Sequence, residues 1–475
     1  MPTATPTTTT REQGFETLEE EVSIERLPVS GEIPPWLGGT LVRVTPAMLD
    51  IGGRPLRHWF DGLAMLNAFS FTDGRVGYGS RFLRTRAHAK SRDGELGMIG
   101  FAQDPCRALF KRTMTLFGAN PNDNCNVNVA KLGERYIAMT EVPLPVEFDA
   151  QTLETAGLLK WKDRLGGHIA TAHPHFDPQR RELLSYVSHI SARSSYRLFA
   201  VPEASIKRRQ VARIPVREPA YMHSFAMTER YLVLVEFPFV LDTLRLAVGG
   251  RPLIDNYRWK PERGTRFFVV DRHNGGLQGT YEAEPFFAFH HANAFERDGE
   301  LVVDVVVHES GPVAMEALEV ERLRAGGHPV RPTPLKRYRV PLGGGEVVGE
   351  RLSDHDIELP RINYRRSNAR EYRHVYAAAF RDEGSDWFDQ LVKLDVETGE
   401  LGGWSQSGCY PGEPVFVAGP EERAEDDGVV LSVVLDAKVG RSFLLVLDAA
   451  SLGELGRAEA PHHVPFGFHG QHFAN

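Results

Sequence analysis

Four of the eighteen histidines in this 475-residue chain stand in unusual surroundings. His173 lies in TAHPHFDP, His223 in YMHSFAMTERYLVLVE, His290 in FHHANAFE and His469 in VPFGFHGQHF. Each is flanked by aromatic or apolar residues, and three come just before or within a run that reads as a β-strand. An imidazole in such a place has two ring nitrogens to satisfy, and a metal ion on one of them does so. The separations of 50, 67 and 179 residues are not those of a local motif such as H-E-x-x-H. Ligands so far apart must arrive on separate strands that converge. For each histidine taken singly, a surface position or a satisfied core group is the ordinary alternative.

The elements available to carry them are short strands. From Ile33 onward, apolar and β-branched runs recur, as in Tyr231–Glu236, Arg266–Asp271, Leu301–His308 and Val429–Leu435. Turn chemistry separates them: Asp73-Gly74, Asp298-Gly299, Asn274-Gly275-Gly276 and Glu397-Thr398-Gly399. Asn-Gly and Asp-Gly pairs suit the positive φ of tight hairpins. Many short antiparallel strands over some four hundred residues, without a long periodic helix, predict an all-β propeller or a very large barrel.

Composition narrows the function. A formal net charge of −8 argues against nucleic acid as a partner. The three cysteines, Cys106, Cys125 and Cys409, form no C-x-x-C pair and no disulfide framework, which predicts a reducing, cytoplasmic setting. Residues 1–22 are Thr/Pro-rich and then acidic, lack the apolar stretch of a signal peptide, and read as a disordered tail. No break follows, so residues 23–475 read as one domain. No window holds the ~18 or more consecutive apolar residues of a membrane span.

The motifs resemble those of the carotenoid cleavage oxygenase family over Pro34 to Phe473. They run in the family's order: GTLVRVTPAMLDIGG, HWFDGLAML, TAHPHFDP, MHSFAMTE, FHHANAFE, ELPRINY, CYPGEPVFV and VPFGFHG. The animal-type branch, with its β-carotene oxygenases and retinoid isomerohydrolase, looks most similar, through Asn122–Glu141 and Gln103–Arg112. One departure is Arg43-Val44-Thr45-Pro46, where relatives often carry R-N-G-P; it puts that loop's usual turn in question and is expected to touch no ligand.

The resemblance implies a seven-bladed β-propeller with a short helical and loop cap, and one Fe(II) ion on its axis held by His173, His223, His290 and His469. Successive strand residues point to opposite faces, so one member of the His290-His291 doublet faces the axis, and the motif selects His290. His175 and His472 are expected to pack or lie at the surface. Glu141, Glu358 and Glu413 match the three glutamates that the family sets behind its histidines. Phe60, Val127 and Thr140 match cavity positions. Residues 107–117, basic and apolar by turns, match a segment that rests in a membrane surface, with Cys106 beside it as a place for an acyl group.

The implied activity is oxidative cleavage by O2 of a double bond in an apolar polyene, a carotenoid or apocarotenoid, to aldehydes. Stilbene or phenylpropene cleavage is the alternative; Asn128 stands nearest to the lysine that such relatives use. Retinyl-ester isomerohydrolase chemistry and a propeller that only binds ligand complete the alternatives.

Overall fold

The computed structural model describes residues 10–94, 100–103, 122–248, 251–326 and 334–474. These residues form antiparallel sheets, the larger ones of four to seven strands, with short helices in the connections. The sequence-predicted strands are present, Tyr231–Glu236 with its ends unchanged and Thr265–Asp271, Glu300–Val306 and Gly428–Asp436 with ends shifted by a residue or two. Asp298 (φ 51°) and Gly299 (φ 84°) make a two-residue turn with both φ values positive. That geometry matches the right-handed twist of the flanking strands. Asp73 (φ 47°) and Gly74 (φ 73°) repeat it.

All six residues of Tyr231–Glu236 are buried. Alternation of apolar and polar side chains disappears because both faces of the sheet are covered by neighbouring sheets. The strand Val348–Arg361 lies in the middle of the seven-stranded sheet, pairing with Pro334–Pro341 on one side and with His374–Ala379 on the other. The last strand, Gly470–Phe473, pairs with Gly39–Met48, so the two ends of the chain share one sheet. Val29–Gly31 closes a second sheet against Glu454–Glu459 in the same way.

The expected disorder of residues 1–22 does not extend to residues 10–22. Arg11–Phe15 forms a 3-10 turn, and Phe15 is fully buried among Trp59, Trp387 and Phe466, with ring centroids 5.7, 5.1 and 5.2 Å away. Arg324 donates to the Phe15 carbonyl at 3.0 Å, and a Cβ on Gly14 would collide with the Phe466 ring. One aromatic ring and one glycine anchor a stretch whose average composition is that of a tail. Residues 107–117 and Cys106 lie outside the described residues. Among the described residues, no helix is long and apolar enough to cross a membrane.

Phe15→Ala should destabilise the protein by about 3–5 kcal/mol, the usual cost of truncating a buried phenylalanine. Urea denaturation reads this, and an unchanged midpoint would mean that the segment does not dock.

Candidate metal centre

Thr171, His223, Phe289 and Val127 lie on four separate segments, and hydrogen bonds at or near the histidines tie those segments together. The Thr171 hydroxyl donates to the His223 carbonyl at 2.6 Å, and Ser224 donates to the Phe289 carbonyl at 2.6 Å. The Asn128 amide donates to the Ala172 carbonyl at 2.8 Å, and the His469 N–H donates to the Val127 carbonyl at 3.2 Å. Each tie fixes a histidine, or its immediate neighbour, against the next segment.

The result is a cluster. One ring nitrogen from each of His173, His223, His290 and His469 lies within 4.8 Å of all the others. Among the described residues, no further group of three or more His, Cys, Asp or Glu side chains gathers in this way. His223 and His469 are buried, and His173 and His290 half-buried. The His290-His291 doublet divides as the strand pleat requires. His290 enters the cluster, while His291 turns its Nδ1 to the Ser224 hydroxyl at 2.7 Å. His175 bonds the Phe225 carbonyl at 2.9 Å and His472 the Gly38 carbonyl at 2.7 Å, so both pack against backbone.

Behind three of the four rings stands a glutamate. His223 Nδ1 meets Glu141 Oε1 at 2.8 Å, His290 Nδ1 meets Glu358 Oε2 at 2.5 Å, and His469 Nδ1 meets Glu413 Oε1 at 2.7 Å. Burial works to raise the Glu413 carboxyl, but Arg361, His469 and Arg43 outweigh it and bring it down to about 2. Burial also opposes ionisation of Glu358, and there His290 and His308 outweigh it. A carboxylate only accepts, so Nδ1 of its histidine carries the ring proton and Nε2 carries a lone pair. Burial pushes His469 down to about 4, and lowers His223 and, more strongly, His173 as well. Burial therefore favours the neutral form of His173, His223 and His469.

These facts test whether a metal fits. His290 Nε2 and His469 Nε2 are 3.1 Å apart, and both bear lone pairs that no proton separates. Two such lone pairs repel unless a cation lies between them. Metal–imidazole bonds of about 2.1 Å at a right angle would set two nitrogens about 3.0 Å apart. The observed 3.1 Å, and the 2.9 Å between His173 Nε2 and His223 Nε2, match that spacing. A metal ion fits this donor set, and imidazole accepts iron, copper, nickel or zinc.

One side of the cluster is aromatic. Phe60 lies 6.2 Å from the His223 ring, 5.3 Å from Phe101, 6.1 Å from Phe289 and 5.1 Å from Phe468, between ring centroids. Val127 is buried and touches the site through its carbonyl. Thr140 is half-buried, directly before Glu141. Asn128 has both ends of its amide occupied, by the Ala172 carbonyl and the Val129 N–H at 2.8 Å, which leaves it unsuited to grip a phenol.

Sequence reasoning missed three contributors. Arg43-Val44-Thr45-Pro46 is not a loop that avoids the site but part of the strand Gly39–Met48. The Val44 N–H donates to the His469 carbonyl at 3.3 Å, and Arg43 reaches the Glu413 and Phe468 carbonyls at 3.2 and 3.3 Å. A buried arginine beside a known motif was the available pointer. Tyr221 donates to Glu141 Oε1 at 2.7 Å, and the MHSF motif has no feature that assigns the tyrosine before it. His308, at the end of a predicted strand, contacts Glu358 at 3.2 Å.

A comparison with known families and structures places this arrangement. The model of the RPE65 family, described as retinal pigment epithelial membrane protein, matches residues 15–474. The chain belongs to the carotenoid oxygenase family. It is 33% identical to the mitochondrial carotenoid-cleaving dioxygenase of Macaca fascicularis, over 93% of this chain and 90% of that protein. It is 31% identical to the β,β-carotene 15,15′-dioxygenase of Gallus gallus, over 95% and 96%. The fold superposes on the cobalt-substituted apocarotenoid oxygenase of Synechocystis with a TM-score of 0.88, at 27% identity and 99% coverage of both chains. The expected β-propeller architecture and the membership of an iron-dependent family agree with the site geometry.

His173, His223 and His469 all bind protons less readily in the fold than in an unfolded chain. The unfolded state therefore takes up more protons, and the metal-free protein should lose stability as pH falls from the ordinary histidine value of 6.5 toward about 4. Below that, Glu413 adds a further loss as pH approaches about 2. Denaturant midpoints of apoprotein between pH 7.5 and 4 check this; a flat profile would contradict the neutral-ring assignment.

Proposed function

We propose that this chain is a non-haem iron(II) dioxygenase that cleaves one carbon–carbon double bond of a carotenoid or apocarotenoid. His173, His223, His290 and His469 hold the metal, and Glu141, Glu358 and Glu413 hold the rings. The observation that carries the reading is the convergence of neutral imidazole lone pairs backed by carboxylates, in a chain of this family. Iron(II) bound there supplies the redox chemistry that lets O2 react with a closed-shell alkene.

The residues around the metal account for the rest. Phe60, Phe101, Phe289 and Phe468 offer ring faces and edges to a substrate that has no charge to anchor. A polyene lying against them would present one double bond to the metal, with Val127 and Thr140 as further neighbours. The reaction balances without another reductant: the C=C bond breaks and each carbon takes one oxygen atom of O2, giving two carbonyl products. A metal ion held by His173, His223, His290 and His469 would be bound by imidazoles alone, with no anionic side chain among its protein ligands. Asn128, fully engaged with backbone, disfavours the stilbene alternative.

The reducing cytoplasm is the compartment that the cysteine pattern supports. Residues 107–117, with Cys106, are the proposed contact with a membrane surface, a route by which so apolar a substrate could arrive. Sedimentation of the full chain with anionic phosphatidylserine vesicles tests this, and protein that stays in the supernatant would refute it.

His290→Ala should reduce bound iron from about one ion per chain to almost none and abolish turnover, while His291→Ala should keep its iron. Elemental analysis after anaerobic loading with Fe(II) decides between them, and the opposite pattern would overturn the ligand assignment. Iron-loaded protein given carotenoids, apocarotenals and stilbenes under ¹⁸O₂ should yield two labelled aldehydes from a polyene. Cleavage of the stilbenes alone would transfer the assignment to the alternative.

A further inference from the structure

The three glutamates behind the histidines are held by different partners. Glu141 takes the Tyr221 hydroxyl, and Glu413 takes the Gly470 N–H at 2.9 Å with Arg361 and Arg43 close by. Glu358 has neither a phenol nor an arginine. Its Oε2 accepts from His290 Nδ1 and, at 2.5 Å, from the N–H of Leu359. Its Oε1 meets His308 Nε2 at 3.2 Å.

The backbone around Glu358 is bent to make this possible. Leu359 has φ +55°, in the left-handed region that non-glycine residues avoid. It sits in a bulge, with Glu358 opposite Ala378 and Arg361 opposite Tyr376, so that two residues on one strand face one on the other. Such a conformation persists only where its surroundings hold it in place. Here it turns the Leu359 N–H back onto the carboxylate and leaves Oε1 pointing at His308.

His308 is itself fixed against the segment that carries His290. It exchanges two backbone hydrogen bonds with Phe287, at 2.7 and 3.0 Å, and the Phe289 ring stands edge-on to it at 5.3 Å. Its Nδ1 is buried with no partner. A neutral imidazole has one ring proton, and the acceptor on offer is Glu358 Oε1, so the proton sits on Nε2. Without that donor, one oxygen of a buried carboxylate would face phenylalanine rings unpaired.

We infer that His308 is a positioning residue for the iron centre: by donating to Glu358 Oε1 it fixes the carboxylate that sets the orientation and tautomer of His290. The inference rests on the iron-centre reading above and extends it by one residue.

The test compares iron affinity with folding. His308→Phe keeps an aromatic ring and removes the donor; it should weaken Fe(II) binding about 10-fold, toward the lower end of what loss of a ligand's hydrogen-bond partner causes. His308→Gln, which returns an N–H near the Nε2 position, should restore most of it. The His308→Phe apoprotein should also denature at a lower urea concentration, because an oxygen of Glu358 is left unpaired, and His308→Gln should recover it; a purely packing role for the ring would make Phe the better variant. In a Glu358→Gln background, His308→Phe should have no further effect on affinity.

Equal Fe(II) affinity in His308→Phe and wild type, or additive losses in the double variant, would overturn the inference. Where the Phe variant fails to fold, His308→Asn, whose N–H stops short of Glu358, should show the same loss, and unchanged affinity there would overturn it too. Wild-type protein that takes up no iron would instead sink the iron-centre reading, so the two failures are separable.

Discussion

The structure depends on a hydrogen bond made three times, from a histidine Nδ1–H to a glutamate carboxylate. Each one fixes a tautomer and thereby sends the lone pair of Nε2 into a shared space. Those lone pairs cannot satisfy one another. His290 and His469 bring theirs to 3.1 Å, a separation that ordinary packing would avoid and a cation would require. The carboxylates therefore do more than neutralise charge. They fix three of the four rings, each able to turn either nitrogen inward, with Nε2 toward the shared space.

Holding that set together is work for the innermost segments rather than for the sheets as wholes. Sheet hydrogen bonds set the spacing of strands within a sheet but say nothing about the next sheet. That relation is fixed here by small polar side chains beside the ligands: Thr171, Ser224 and Asn128, each donating to a carbonyl across the gap. The ring is completed by pairing of Gly470–Phe473 with Gly39–Met48, which brings His469 in from the far end of the chain. Histidines separated by nearly three hundred positions meet because the closing strand and the first strands share a sheet.

How much of this was legible in the sequence follows from where each determinant lies. Tight turns at Asp73-Gly74 and Asp298-Gly299 are written locally, since positive φ at two successive positions demands particular residues, and they appear where expected. The His290-His291 choice was legible too, because the pleat allows only one ring inward. The docking of Phe15 was not. Its partners, Trp59, Trp387 and Phe466, lie far along the chain, and no average over the first twenty-two residues contains them. Arg43 was misread as clear of the site because its effect is exerted across a strand pair on Glu413 and on the backbone of Phe468 and Gly470. His308 had no local mark at all, and its meaning comes from the bulge that aims Glu358 at it.

The differing partners of the three carboxylates bear on how so much charge is tolerated in an apolar setting. A divalent ion held by neutral imidazoles keeps its full charge, and burying that charge is costly unless counter-charge lies close. Three glutamates more than offset it, and Arg43 and Arg361 beside Glu413 leave the whole group with a single positive charge. Had Glu141 and Glu358 also been paired with arginines, the site would carry a larger positive charge that favours anions over a neutral polyene and dioxygen. A tyrosine hydroxyl and a histidine N–H instead satisfy those two carboxylates. The aromatic wall of Phe60, Phe101, Phe289 and Phe468 can then stand directly against the metal cluster, because the charges behind the histidines are compensated on the side away from it.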